Sequence, residues 1–263
     1  MVTALDTSLG GTNLSTYGFE TQKTPKDLMP PISERMIDIP KFNGDILSSM
    51  KFNKHKLPCI GTLTGTSYDD LKTKIETLSA FLYNEETREL IFNNQSDRYY
   101  NVMVRDKIAI AQKNIVKAAM LIVFTADDPL AYDNTATTDT QADFDTNDDS
   151  YTVANAGHTY AYPVITITFN QAQTHIYVNN DTVSNSRFDI SKSFETNDEL
   201  EIDCKNGTVK LNGNADYTGF GDGGQNKANW LKLAVGNNTI ICGSDDETID
   251  IDIVMNFRKV YLY

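Results

Sequence analysis

Histidines are the first residues to consider for chemistry in this sequence, because histidine is a common protein ligand of transition metals. Zinc hydrolases place two histidines four residues apart with a glutamate beside the first, so that one helix face carries both metal ligands and the base. His55, His158 and His175 lie far apart, and none has a second histidine at that spacing. The sequence therefore predicts no zinc centre, and it places these histidines at the surface or at the edge of a pocket.

Carboxylates raise the question of calcium. The run from Asp143 through Asp145 to Asn147 imitates the first three ligand positions of an EF-hand loop. Such a loop needs glycine at its sixth position and a bidentate glutamate at its twelfth, and these positions hold Asp148 and Ala154. An EF-hand is excluded. The expected structure is a solvated acidic linker, with an irregular calcium site as the alternative.

Other catalytic patterns are also missing. The glycine-rich residues 219–224 lack the Lys-Ser/Thr pair of a phosphate-binding loop, so we expect a flexible connection there. A glycoside hydrolase would need two carboxyl groups about 5–10 Å apart in a cleft, and the sequence singles out no such pair. We predict no catalytic residue, no cofactor and no metal ligand, so the chain is not expected to be an enzyme.

Trp230 is the only tryptophan, and with Tyr217 it is a candidate for stacking on a sugar ring. If residues 230–235 form a strand, Trp230 lies on the face opposite Leu231 and Leu233. Trp230 would then stand outward if the leucines face the core, and the reverse burial stays open. This interpretation gives an alternative function, a carbohydrate-binding adhesin or receptor-binding module built on a β-sandwich.

The charge is unevenly distributed along the chain. Residues 1–130 hold 15 basic and 16 acidic side chains, whereas residues 131–263 hold 8 and 20. An acidic half without a basic patch disfavours binding of DNA or RNA, although such a surface could surround DNA that slides past.

We expect three buried thiols at Cys59, Cys204 and Cys242, with a Cys204–Cys242 bridge as the alternative. We expect neither a secretory signal nor a membrane span.

The elements of the first half suggest an antiparallel sheet covered by one helix. We predict that helix at about residues 68–83, because Thr66 or Ser67 can cap it and leucine and isoleucine recur along one face. Residues 1–13 are polar and are expected to form an arm. Strands are predicted around residues 35–39, 57–63, 90–92, 98–110 and 115–124.

Asp128-Pro129 ends this half, because proline donates no backbone hydrogen bond and restricts the residue before it. We predict an N-terminal domain over residues 1–130, an acidic connector over 131–150 and a C-terminal domain over 151–263. Short alternating strands separated by turn residues predict a β-sandwich there. Asn206-Gly207 predicts a two-residue type I′ hairpin turn.

Several segments in this order resemble the distal tail proteins of long, non-contractile-tailed bacteriophages, mainly those that infect Gram-positive hosts. The resemblance is carried by Gly65 and the helix entry after it, by Arg98-Tyr-Tyr, and by Asp128-Pro-Leu-Ala-Tyr132. Residues 161–167, 200–213 and 229–233 carry it in the second half. The match covers about residues 35–263 and is poor before them.

The resemblance implies an N-terminal split β-barrel with one helix and a C-terminal galectin-like β-sandwich, and therefore a mainly β protein. It implies a structural virion protein at the tail tip, made in the host cytoplasm. It also implies a homohexameric ring that joins the tail-tube protein to a tail-associated hub or fibre protein. The ring would surround the passing genome without binding it, and its outer domains could hold a receptor-binding protein.

A hypothesis for the ring contacts follows from the first half. We expect them at the helix and its flanks and at the loop of residues 41–50, with Phe42, Asn43, Tyr68 and Lys72 as candidate residues. A ring contact joins two different surfaces of the same chain and closes on itself.

Overall fold

The computed structural model describes residues 6–24, 29–39, 43–219, 229–246 and 248–262, with the side chains of residues 142 and 143 left out. The chain divides into two compact units, and the division falls between Asn134 and Thr135. The fold is mainly β, with one α-helix among the described residues, which confirms the predicted fold class.

Unit 1 is an antiparallel sheet with a helix against it. Its elements are β1 Thr7–Leu9, β2 Thr12–Asn13, β3 Phe19–Lys23, β4 Ile32–Asp38, β5 Asp45–Phe52, β6 His55–Thr64, α1 Tyr68–Leu82, β7 Arg88–Phe92, β8 Arg98–Val104, β9 Ala109–Asn114, β10 Lys117–Ala126 and β11 Ala131–Asp133, with short 3-10 helices at Leu14–Tyr17 and Asn93–Gln95. The main sheet runs in the order β2-β1-β7-β8-β10-β6-β3, with β9 on β10 and β11 on β8. Of residues 1–13, predicted as an arm, residues 1–5 lie outside the described part of the chain. Residues 7–9 and 12–13 form β1 and β2, and β1 pairs with β7.

Helix α1 begins where its capping chemistry predicts. The Ser67 hydroxyl accepts the Asp70 N–H at 3.1 Å. The Asp70 carboxylate accepts the N–H of Thr66, the residue before the cap, at 2.7 Å. Leu71, Leu78 and Leu82 are buried on the sheet side of the helix. The predicted end at residue 83 is one residue late, because Tyr83 is the C-cap with extended backbone.

Asp127, at the end of β10, is held by two cations. Arg105 donates to both carboxylate oxygens, at 2.8 and 2.6 Å, and the Lys54 ammonium lies 2.9 Å away. These contacts lower the pKa of Asp127 to about 2, and the hydrogen bonds from Arg105 are the largest cause. In the following corner the Asp128 carboxylate accepts the Tyr132 hydroxyl hydrogen bond and the Leu130 N–H, so the Asp-Pro corner is fixed by side-chain bonds.

Removing Arg105 should therefore give a pH-dependent loss of stability. Because the pKa of Asp127 is lower in the folded state, the carboxylate stabilises the fold at pH values above its unfolded-state pKa, which is near 4. This contribution disappears as the pH falls from about 4 to about 2. Because both side chains are about 40% exposed, solvent screens the pair, and we expect Arg105→Gln to lower the urea midpoint only slightly at pH 7. Urea unfolding at several pH values, with Lys107→Gln as the control, should show this difference shrinking in acid. A difference that stays constant down to about pH 3 would contradict the assignment.

Unit 2 is a β-sandwich. Its strands are β12 Thr137–Phe144, β13 Ser150–Asn155, β14 Val164–Phe169, β15 Gln173–Asn180, β16 Arg187–Phe194, β17 Glu199–Asp203, β18 Thr208–Leu211, β19 Asn214–Ala215, β20 Gly236–Gly243, β21 Ile251–Phe257 and β22 Val260–Tyr261. One sheet has the order β12-β21-β14-β17-β18-β19 and the other β13-β20-β15-β16. Alternating apolar residues of both sheets are buried, and the Phe169 and Phe194 rings stack across them at 4.2 Å.

Three sequence predictions for the second half of the chain need correction. The acidic connector predicted over residues 131–150 is not an unstructured linker, since it holds β11 and β12, and β12 pairs with β21. The hairpin at Asn206-Gly207 is present, but its loop has four residues, because Asp203 pairs with Thr208 and only Gly207 has positive φ (+67°). Residues 230–235 form no strand; they contribute one isolated bridge, Leu233 to Ala161.

Three buried asparagines, the asparagine cluster Asn155, Asn180 and Asn238, hold this irregular segment in place. Asn155 donates to the Leu233 carbonyl at 3.1 Å, and Asn180 donates to the Lys232 carbonyl at 2.7 Å. Asn238 accepts the Ala234 N–H at 2.8 Å and donates to the Ala234 carbonyl at 2.9 Å. Side-chain amides thus satisfy backbone groups that a neighbouring strand would otherwise satisfy.

Candidate assembly interface

The β4–β5 hairpin is a two-stranded sheet that stands apart from the rest of unit 1. Every residue of β5 is exposed, and so is every residue of β4 except the partly exposed Ser33. An isolated two-stranded ribbon is at best marginally stable in water. The two strands alone therefore contribute little to the stability of the hairpin.

One face of this hairpin is mostly apolar, although it also holds Glu34. In an antiparallel pair, residues directly opposite each other share a face, and Ile32 lies opposite Phe52 while Met36 lies opposite Leu47. Met50, opposite Glu34, falls on the same side. We call these five side chains the hairpin face: Ile32, Met36, Leu47, Met50 and Phe52. They are 38–54% exposed, and exposed apolar side chains gathered on one side of an element often mark an interaction site.

The hairpin corrects the loop conformation that was predicted for residues 41–50, and the ring contact itself stays a prediction. Residues 45–50, predicted as part of a loop, belong to strand β5, so this segment is one arm of a hairpin. Asn43 is exposed in the hairpin turn, beside Gly44, whose φ of +93° favours glycine. Phe42 lies outside the described residues. The hairpin face itself was missed, although alternating apolar residues after an Asn-Gly pair are a hairpin signal.

A second apolar surface lies between α1 and the strands beside it. It is a groove of about 190 Å³, which we call the α1–β9 groove; its lining residues are Tyr68, Leu71, Lys72, Ile75, Glu76, Ile110, Gln112 and Ala118. Tyr68 is 57% exposed at its rim and Ala118 is buried at its floor. Two of the predicted ring residues, Tyr68 and Lys72, therefore lie on one surface.

The two residues predicted to bind sugar have different surroundings. Leu231 and Leu233 are buried, and Trp230 is half-buried. The Trp230 ring covers the Asn206-Gly207 turn so closely that a side chain at Gly207 would come 3.0 Å from the indole. Tyr217 is exposed. Nothing in the described residues joins the two into one aromatic surface, and sugar binding by them stays a prediction.

The histidines are more buried than predicted. His158 is exposed, but His55 and His175 are buried. His175 Nδ1 accepts the Asp245 N–H at 3.0 Å, and its Nε2 lies 3.4 Å from the Asp189 carboxylate. His55 packs edge-on against the Tyr100 ring. Burial of both rings by partners distant in the sequence explains why local pattern placed them at the surface.

The cysteines are free and buried, in agreement with the main prediction rather than the disulfide alternative. Burial raises the pKa of Cys204 to about 12 and also raises that of Cys59, so these thiols stay protonated.

Among the side chains that the structure describes, no group of three His, Cys, Asp or Glu could hold a metal ion. No helix in the described part of the chain is long and apolar enough to span a membrane.

The sequence matches two family profiles. Residues 12–125 match a "Phage tail protein RIFT-related domain" and residues 156–261 match a "Siphovirus-type tail component, C-terminal domain". The two matches fall in unit 1 and unit 2 respectively and together cover most of the chain. No curated protein matches the sequence.

Solved structures share the fold. The chain is similar to the crystal structure of SPP1 Dit (gp 19.1), described as "a Paradigm of Hub Adsorption Apparatus in Gram-positive Infecting Phages", with a TM-score of 0.81 and 17% identity over 98% of this chain and 99% of that one. It is more distantly similar to a chain of the phage P2 baseplate in its activated conformation with Ca, with a TM-score of 0.46 and 7% identity over 97% and 98% of the two chains.

The two profile matches stand in the order that the sequence resemblance requires, and the fold agrees with them. The chain belongs to the siphophage distal tail protein family and is a structural component of the phage tail tip.

Proposed function

We propose that this chain forms a homohexameric ring at the tail tip, which joins the tail tube to a tail-associated hub or fibre protein. The observation that carries the proposal is the exposed hairpin face. A tail-tip component that presents a projecting ribbon with five uncovered apolar side chains is built to be covered by another protein. In a closed ring every subunit has a neighbour that could cover this face.

The charges fit a duct that the genome passes through. Residues 1–130 are close to neutral and residues 131–263 carry 20 acidic against 8 basic side chains. Strong binding of DNA depends on neutralising phosphates with lysine and arginine, and this composition provides no excess of either. The genome would therefore pass the ring without being held, and unit 2 would serve as the docking point for other tail proteins, including a receptor-binding protein. The proposal assigns the chain no catalytic role.

The mass of the particle in solution tests the ring. Size-exclusion chromatography with light scattering should give six times the 29.4 kDa of one chain, and negative-stain electron microscopy should show closed rings. Dilution of the ring should give single subunits with few intermediates. A partial ring is less stable than the closed one because its two end subunits each lack one contact. A strict monomer at high concentration, with no ring in the images, would overturn the proposal.

A further inference from the structure

The two surfaces of unit 1 described above differ in shape, but both are lined largely by apolar side chains. The hairpin face is a projecting ribbon, and the α1–β9 groove is a concave surface on the same chain. A ring contact joins two different patches of identical subunits, so each subunit must carry both halves of it. A second copy of this chain is therefore the partner that the pair of surfaces fits.

We infer that the hairpin face of one subunit seats in the α1–β9 groove of the next. This inference rests on the proposed ring and names its contact. The hairpin would insert apolar side chains, Leu47 and Met36 among them, over Ile75 and Ala118, between the rims formed by Tyr68 and Ile110. Ile110 and Tyr68 are about half exposed in the single subunit, and the contact would cover them.

Charge supports the same pairing. At the turn end of the hairpin face, Asp38 lies directly opposite Asp45, and like charges in that position destabilise a strand pair. Neither carboxylate forms an ion pair with a described residue of its own subunit. The groove wall carries Lys72, whose side chain is exposed and whose ammonium lies 3.9 Å from the Glu76 carboxylate, at the outer limit of an ion pair. A neighbouring Lys72 would supply the positive charge that the two aspartates lack.

Two variants with complementary defects test the contact. Leu47→Glu damages the hairpin face and leaves the groove intact, whereas Ile110→Glu damages the groove and leaves the hairpin intact. Each alone should raise the concentration needed for ring assembly by at least about tenfold, the effect of losing one well-packed anchor. An equimolar mixture, with one variant labelled with ¹⁵N, should give a one-to-one heterodimer in native mass spectrometry, because one sound contact remains and it cannot propagate.

The controls are exposed apolar residues outside the two surfaces. Ile46→Glu changes the opposite face of the hairpin, and Ile115→Glu changes the turn between β9 and β10. Both should assemble as the wild type does. If the wild type forms rings but the mixture stays monomeric, or if Ile110→Glu assembles normally, the hairpin docks elsewhere and the inference fails. If the wild type forms no ring, the proposed function itself fails.

Cross-linking gives a second readout that does not depend on charged substitutions. The native cysteines are buried, so a chain with Leu47→Cys and Ile110→Cys has two accessible thiols. Oxidation should link neighbours head to tail and give a ladder of up to six subunits in denaturing gels. Neither single variant should give a ladder. Dimers from Leu47→Cys alone would show hairpin-to-hairpin packing and would overturn the inference.

Discussion

Asn238→Ala is expected to destabilise unit 2 by about 3–5 kcal/mol. The Asn238 amide is completely buried, accepts hydrogen bonds from Ala234 N–H and Asn180, and donates to the carbonyls of Ala234 and Gly236. Alanine would remove the acceptor of the buried Asn180 amide and the donor to the buried Val153 carbonyl, and a buried polar group left unpaired costs about 1–3 kcal/mol. The partly buried Ala234 groups would lose a partner as well. Trp230, the only tryptophan, lies in unit 2, so urea unfolding followed by its fluorescence reports the change.

Asn237→Ala is the matched control for this experiment. Asn237 is the neighbour of Asn238 in β20, but it is exposed. The same chemical change there should alter stability by less than about 0.5 kcal/mol. Equal losses at the two positions would show that residues 230–235 are not held by the asparagine cluster.

Gly61→Ala is expected to destabilise unit 1 by about 2–4 kcal/mol. Gly61 lies inside β6 beneath the buried Phe19 ring. A methyl group there would lie 2.5 Å from the Glu20 carbonyl oxygen and 2.8 Å from Phe19 Cε1, so the backbone of β3 would have to move. Overpacking of a filled core costs about 1–3 kcal/mol, and backbone displacement adds to that cost.

Calorimetry can measure this loss, and unfolding followed by Trp230 fluorescence should show unit 2 unchanged. Ile60→Thr serves as the control, because Ile60 points outward from the same strand and threonine keeps the β-branched shape. This exposed substitution should cost less than about 1 kcal/mol. A Gly61→Ala protein as stable as the wild type would show that the Phe19 contact is looser than the structure indicates.

Local signals were enough for much of the fold. The α1 cap is formed by nearby residues, Ser67 and Asp70, so the helix start could be read directly from the sequence. Strands such as Val164–Phe169 alternate between apolar and polar residues because one face lies in the sandwich. Fold class followed from these regular elements.

The failures have a common physical cause, which is that the decisive partner is distant in sequence. Strand β12 is rich in threonine and aspartate and looks like a linker, but its backbone pairs with β21 more than a hundred residues later. Residues 230–235 alternate as a strand does, yet distant asparagine amides take the place of a neighbouring strand.

The candidate interface was predicted only in part for a similar reason. Tyr68 and Lys72 follow from the helix, whose exposed side is set by its apolar stripe. The hairpin face depends on the register between β4 and β5, including a bulge between Arg35 and Met36 that no local pattern reveals. Without that register, the apolar residues of the two strands could not be assigned to one side.

The facing aspartates at the hairpin turn have a consequence for the free subunit. A bare ribbon with two open edges invites other chains to add strands to it, which leads to aggregation. Asp38 and Asp45 concentrate negative charge at its tip, and this charge repels the same tip of another copy. Neutralising the tip with the double substitution Asp38→Asn and Asp45→Asn would therefore make the newly synthesised protein less soluble, even if the folded subunit became more stable.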